Sequence, residues 1–238
     1  MIVIPAIDII NGKCVRLTQG DYNQCKQYSD NPLDVAKRFE DTGFKRLHLV
    51  DLDGAKSKTV VNIQVLESIC KNTSLSVDFG GGIKSDADIE KVFNAGACFA
   101  CIGSIVQTDT DKTCKWLDMY GGNRFIIGAD VRGEHVCING WRETTSTTIF
   151  ELVDNYKEKI HYLMCTDVSK DGMLQGASVD LYAKLVKYYP QLNIIASGGV
   201  GSMGDLTELN KLGLYAAIVG KAIYEGLIGL NELKNYTE

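Results

Sequence analysis

Two aspartates close apolar runs in this chain: Asp8 ends MIVIPAID and Asp130 ends RFIIGAD. A carboxylate at the end of a buried strand lies where the sheet meets solvent. Two such groups facing each other across a mouth can divide general-acid and general-base work between them. A strand-end aspartate also serves as a helix cap, and that role suits Asp51 and Asp53 in LVDLDGA. Two glycine-rich turns, Phe79-Gly80-Gly81-Gly82 and Ser197-Gly198-Gly199, each follow a strand-like run. Each has a partner one unit later, Ile102-Gly103-Ser104 and Val219-Gly220-Lys221. Glycine lets backbone amides approach a ligand, and helix N-termini add unpaired donors. Gly81, Gly82, Gly103 and Ser104 therefore form one expected phosphate site, and Gly198, Gly199, Gly220 and Lys221 a second. Tight turns need glycine too, but two matched sets in register favour a ligand with a phosphate at each end.

Other residues surround this plan. Thr166-Asp167-Val168-Ser169-Lys170-Asp171-Gly172 follows a strand. Thr166 is placed to orient substrate or a carboxylate. Asp171 rivals Asp130 as the acid, on a turn that Gly172 permits; simple turn chemistry is its alternative. The stretch Asn11–Tyr22 reads as a polar loop, with Lys13, Arg16, Gln19 and Gly20 suited to a lid over an anion. Gly140-Trp141-Arg142-Glu143 offers an aromatic plane and a cation. His48 falls at an inward position of a strand, as a substrate contact or as a satisfied core histidine.

The elements that must position these groups alternate. Strand patterns occupy Ile2–Asp8, Arg46–Leu52, Leu75–Phe79, Cys98–Ile102, Arg124–Asp130, Tyr162–Thr166, Asn193–Ser197 and Ala216–Val219. Several are near-continuous apolar runs, as parallel strands buried on both faces should be. Helical stripes lie between them: Ile89, Val92 and Phe93 ahead of Gly96; Leu206, Leu209 and Leu212 ahead of Gly213; and Ile149, Leu152, Val153 and Tyr156. Eight such units in 238 residues, with no GxGxxG after the first strand, predict one α/β domain spanning 1–238, a (β/α)8 TIM barrel rather than an open doubly wound sheet. The chain also repeats itself. Residues 81–104 resemble 198–221 at an offset of 117, and Asp8 and Asp130 end corresponding strands, so two half-barrels of four strands are expected. The carboxylates then lie on one diameter of the mouth and the phosphate sites on another, crosswise.

Composition limits the alternatives. A net charge of −5 argues against a nucleic-acid surface built on basicity and leaves a small anionic ligand open. Cys98 and Cys101 read formally as C-x-x-C, but a strand puts them on opposite faces, and no second pair or nearby histidine completes a zinc set. No metal is expected. With no leader-like or membrane-length apolar segment and eight unpatterned cysteines, a cytoplasmic monomer with no membrane partner is expected.

PAIDIINGKCVRLTQGDY (5–22), LHLVDLDGA (47–55), FGGGIKS (79–85), IGADVRG (127–133), GWRETT (140–145), TDVSKDGMLQG (166–176) and ASGGVGS (196–202) closely resemble the phosphoribosylformimino-5-aminoimidazole carboxamide ribotide isomerases of histidine biosynthesis. The similarity runs in order over essentially the whole chain. It implies an Amadori rearrangement of a bisphosphate aminoaldose into its ketose, with no cofactor, the base at Asp8 and the acid at Asp130. Thr166 and Asp171 match further active-site positions. Lys84 stands where the family often carries arginine, trading a planar fork for a point charge. Lys56–Val60 lacks a glycine common after DLDGA. The sister cyclase subunit of imidazole glycerol phosphate synthase fits less well, since it typically has lysine before the glycine where this chain has Gln19. A dual-substrate isomerase that also accepts phosphoribosylanthranilate shares these motifs. A barrel that only binds sugar phosphates should lack one of the strand-end carboxylates.

Overall fold

The computed structural model describes residues 1–237. Its strands are β1 (Ile2–Ile10), β2 (Lys13–Thr18), β3 (Asp21–Ser29), β4 (Arg46–Asp51), β5 (Ser76–Gly80), β6 (Phe99–Ile102), β7 (Phe125–Arg132), β8 (His135–Ile138), β9 (Glu143–Thr148), β10 (Tyr162–Asp167), β11 (Asn193–Ser197) and β12 (Ala216–Val219). Eight of them pair in parallel around a closed ring, β1-β4-β5-β6-β7-β10-β11-β12, and β12 returns to β1. Helices occupy the crossovers, as parallel neighbours require. The expected eight-stranded barrel is therefore what the chain forms.

Alternation along each strand sorts the core into two layers. Ile4, Ala6, Cys101, Ile126, Met164, Ile195, Ala216 and Ile218 fill the barrel interior. The residues between them, such as Ile7, Leu47, Leu49, Val77, Phe79 and Ile127, pack outward under the helices. The same parity turns Asp8, His48, Asp78, Asp130 and Thr166 inward. The helical stripes behave as expected. The helix Asp86–Asn94 buries Ile89 and Val92, with Phe93 partly covered by the same core. Met203–Lys211 buries Leu206 and Leu209, and Ile149–Asp154 buries Ile149, Leu152 and Val153. The repeat extends to caps. Ser85 and Asp88 close a capping box on one helix, and Ser202 and Asp205 close its counterpart on the other.

Two segments differ from the sequence expectation. The Asn11–Tyr22 loop is mostly β-structure: β2 folds back on β1, and β3 on β2. Its turns are Asn11-Gly12, at φ 50° and 73°, and Gln19-Gly20, at φ 48° and 71°. These left-handed pairs suit tight hairpins, whose twist then matches the strands. Likewise β8 and β9 form a hairpin beyond β7, leaving Gly140, Trp141 and Arg142 in its turn and Glu143 in a strand. Among the described residues, no helix is long and apolar enough to cross a membrane.

Candidate active site

A cavity of about 330 Å³ opens at the C-terminal ends of the barrel strands. In the ring order, β1 and β7 lie opposite each other, so Asp8 and Asp130 face across this cavity. The two carboxylates meet unlike partners. Arg16 arrives on β2, whose register sets Val15 beside Asp8, and its Nη1 donates to Asp8 Oδ2 at 2.8 Å. Its Nη2 donates to the Ala6 carbonyl at 2.7 Å, and the Tyr224 ring lies 5.5 Å from the guanidinium. Asp8 is thus held in a partly buried ion pair, each side chain 14% exposed.

Asp130 has no such cation. Trp141 Nε1 donates to its Oδ2 at 2.8 Å, and Thr166 is its register neighbour on β10. Burial raises the pKa of the Asp130 carboxyl, while the polar contacts of Trp141 and Thr166 oppose that rise. A third carboxyl, Asp171, enters from the turn after β10. Burial, then the charge of Asp8, pushes it up to about 6, against the pull of Arg16 and Lys221. Three carboxyls thus share one mouth, and burial raises the pKa of two of them.

The glycine turns lie on the other diameter. Gly81 and Gly82 follow β5, and Gly103 and Ser104 follow β6; all four line the cavity. At Gly81, φ is 100° and a Cβ would stand 2.2 Å from the Asp51 carbonyl, so only glycine fits. Asp51 is itself buried and accepts from the amides of Gly54, Val61 and Asn62, which ties this loop down. Lys84 reaches over the turn and donates to Ser104 Oγ. Burial, then Lys58, lowers its pKa. In the other half, Gly198, Gly199, Gly220 and Lys221 line the same cavity. A Cβ at Gly199 (φ 86°) would stand 2.3 Å from the Gly176 carbonyl. Here Asp167 takes the role of Asp51, accepting from Ser169 N at 2.9 Å and from both the Ser169 and Ser178 hydroxyls. Lys221 Nζ donates to the Gly172 carbonyl at 2.7 Å. Arg16 lies so close to Gly220 that a Cβ there would be 2.1 Å from Nη2. Its Nε is buried without a partner.

Of the remaining sequence candidates, Gly20, Trp141, Gly172 and His48 line the cavity. Gln19 does not. It sits on the rim, bordering a neighbouring recess, and its Nε2 donates to the Ser169 carbonyl at 3.3 Å. Among residues the sequence reading passed over, Asp78 pairs with His48 inside the barrel, and Tyr224 backs Arg16. A lone acid inside the apolar run SLSVDFG was the available signal for Asp78. Among the described residues, no group of three or more His, Cys, Asp and Glu side chains is placed to hold a metal ion.

Fold and site together define a repeat-built (β/α)8 barrel enzyme, with carboxyls at the centre of its open face and a glycine cradle to either side. Sequence comparison then narrows the class. The chain belongs to the family described as histidine biosynthesis protein, which matches residues 2–229. It is 52% identical over 235 residues to a protein of Cytophaga hutchinsonii, covering 98% of each chain. It is 49% identical over 233 residues to one of Bacteroides thetaiotaomicron (98% of each), and 48% over 237 residues to one of Flavobacterium johnsoniae (99% of each). All three are named 1-(5-phosphoribosyl)-5-((5-phosphoribosylamino)methylideneamino)imidazole-4-carboxamide isomerase. None of these names is that of the cyclase.

Proposed function

We propose that this protein is an aldose–ketose isomerase of histidine biosynthesis, converting the N-(5-phosphoribosyl)formimino aminoaldose of the imidazole carboxamide ribotide into its ketose by an Amadori rearrangement. The observation that carries the reading is the crosswise site: unlike carboxyls on one diameter, glycine cradles on the other. Isomerase relatives of about half identity and nearly full length support it.

A substrate with a phosphate at each end spans the two cradles and lays its reacting ribose between the carboxyls. In the first cradle, the turn amides of Gly81 and Gly82, with Gly103, Ser104 and Lys84, receive one phosphate. In the second, Gly198, Gly199, Gly220 and Lys221 receive the other. The partnerless Nε of Arg16 beside Gly220 is an unused donor that suits an anion there. Holding both ends fixes the ribose against the catalytic groups.

The acid then protonates the ring oxygen. The C1–O4 bond breaks, and the ring nitrogen substituent becomes a protonated Schiff base. The base removes the C2 proton, and the electron pair flows toward nitrogen to give an enolamine, which gains a proton at C1 and loses one from the C2 hydroxyl as the ketone forms. Asp8, held in an ion pair, is the base. Asp130, whose pKa burial raises, is the acid, held by Trp141 beside Thr166, while Asp171, pushed up to about 6, is the competing donor. Every step is a proton transfer or a C–O cleavage driven by one, so the reading calls for no cofactor. It places the enzyme in the cytoplasm as a monomer with a small-molecule substrate; eight free cysteines suit a reducing compartment.

The test is an assay of the purified protein with the aminoaldose ribotide and with phosphoribosylanthranilate, the product identified directly. Conversion of the first to its ketose sustains the reading, and conversion of both marks a dual-substrate enzyme. A folded, ligand-binding protein that converts neither ends the isomerase reading.

A further inference from the structure

Beneath the cavity, the interior of an otherwise apolar barrel carries three polar side chains in a column. Arg46 and His48 lie on β4, two residues apart, and Asp78 is the register partner of His48 on β5. Their neighbours Leu47, Leu49, Val77 and Phe79 are fully buried on the outer face, so parity sends all three inward. His48 Nδ1 and Asp78 Oδ1 are hydrogen-bonded. Below, the Arg46 guanidinium stacks on Phe99 at 4.4 Å, with the Tyr162 and Tyr215 rings at 5.7 and 5.9 Å, and its Nη1 donates to the Tyr215 hydroxyl at 3.2 Å.

This column is not built as a structural ion pair. Arg46 Nη2 and Asp78 Oδ2 stand 3.7 Å apart, and those two atoms and Arg46 Nε are buried with no hydrogen-bond partner. A buried pair with that geometry recovers its desolvation cost poorly, and apolar residues of similar volume would serve packing as well or better. The well-made contact is the one to His48. His48 lines the cavity and Asp78 does not. With Nδ1 taken by Asp78, Nε2 is the ring nitrogen left for the cavity that His48 lines.

We propose that Asp78 is a positioning residue of the reaction: it accepts the Nδ1 proton of His48, so that the Nε2 lone pair faces the cavity and accepts a hydrogen bond from the C2 hydroxyl of the reacting sugar. Arg46, caged by aromatic rings, supplies the cation beneath Asp78. The carboxylate fixes the tautomer and the ring orientation, as a carboxylate behind any working imidazole does. His48 touches substrate; Asp78 acts only through it. The inference rests on the isomerase reading for its substrate but not for its tautomer.

The tautomer is measured first, on the resting wild-type protein, by long-range 15N–1H spectra of the imidazoles. Only three histidines are present, His48, His135 and His161, and the latter two are exposed. A neutral His48 with its proton on Nδ1 is the expected result. A proton on Nε2 overturns the proposal, whatever the enzyme's activity and whether or not any variant folds. Kinetics follow with Asp78→Asn, whose amide can donate to Nδ1 and drive the proton to Nε2. Turnover should fall about tenfold or more with KM within threefold, and the spectrum should switch tautomer. In a His48→Gln background, Asp78→Asn should then cost less than twofold more. Full additivity of the two losses, or unchanged turnover in a variant whose tautomer has switched, refutes the positioning role. Inactivity of the wild-type protein, by contrast, sinks the isomerase reading and leaves the tautomer result standing.

Discussion

The two halves of this barrel place an aspartate at the same point and then treat it in opposite ways. In the first half, β2 folds back along β1 and brings Arg16 against Asp8, an ion pair with two further anchors on the guanidinium. In the second, the β8–β9 hairpin folds beyond β7 and brings Trp141 instead, a neutral donor with a large apolar body. Burial therefore raises the pKa of Asp130, with no ion pair like that of Asp8 to cancel the rise. A duplicated half-barrel begins with two equivalent carboxyls, and an acid–base mechanism needs two unequal ones. The difference is made by the hairpins on the rim, while the strands that carry the aspartates stay alike.

The comparison breaks first at the aspartates themselves. Asp8→Asn should reduce turnover about 10³-fold, because it removes the proposed base. Asp130→Asn should lose a comparable factor, and both variants should still bind the bisphosphate, since the glycine turns are untouched. Calorimetry and single-turnover rates read the two quantities separately. Near-normal turnover in Asp130→Asn would pass the acid role to Asp171 and leave the two halves unequal for another reason.

The barrel and its mouth were legible from sequence because they rest on strong, redundant patterns. Runs such as VIPAID and FIIGAD can be little else than buried parallel strands, and the repeat at residues 81 and 198 sets which glycines share a diameter. The hairpins were less legible. Asn11-Gly12 is a strong two-residue hairpin signal, yet the strand that follows its mate, DYNQCKQYS, is mostly polar and exposed and carries no apolar alternation to show β-structure. Arg16 was read as a lid residue over an anion. Its contact with Asp8 depends on the register of β2 against β1, which a lid loop does not have. Gln19 lies on the rim and not in the cavity lining, because of the left-handed turn it occupies. Asp78 was passed over because its meaning depends on His48 being its neighbour across two strands 30 residues apart.

Asp171 sharpens the contrast through stability. Its ordinary value is 3.8 and the fold pushes it up to about 6, by burial first and by Asp8 second. A carboxyl whose folded pKa is raised favours folding in its neutral form. The contribution is fully present below the unfolded value and is lost as pH rises through about 6. At pH 7.5 the wild-type protein therefore bears a penalty that Asp171→Asn removes, about 2 kcal/mol after allowing for partial exposure. The variant should melt several degrees higher than wild type at pH 7.5, and the gap should close by pH 4. Equal melting temperatures at both pH values would mean that Arg16 and Lys221 offset the burial of Asp171 and its repulsion by Asp8.

A smaller effect tests the neutral donor. Trp141→Phe keeps the plane and removes the N–H that favours ionised Asp130. On the proposed assignment Asp130 must enter the reaction protonated, so losing that bond should move the alkaline limb of the kcat profile upward by about one pH unit. Turnover at neutral pH should then change only a few-fold. A limb that stays in place, or moves down, shows that Trp141 contributes packing and not the proton balance of Asp130.

The cradles repeat the same asymmetry in a weaker form. Lys84 reaches Ser104 across the first cradle, and burial followed by Lys58 lowers its pKa, whereas Lys221 of the second is fixed on the Gly172 carbonyl. A lysine whose folded pKa is depressed gives up its proton before an ordinary one as pH rises, so phosphate affinity at the first cradle should weaken first. KM should therefore climb by a few-fold on the alkaline side of the profile while kcat holds. Lys84→Arg replaces the ammonium with a guanidinium that stays charged over that whole range. Its KM should be within about threefold of wild type at pH 7.5 and should lack the alkaline rise. If the rise persists in Lys84→Arg, the weakening lies elsewhere, and the first cradle binds its phosphate through backbone amides with little help from the cation above them.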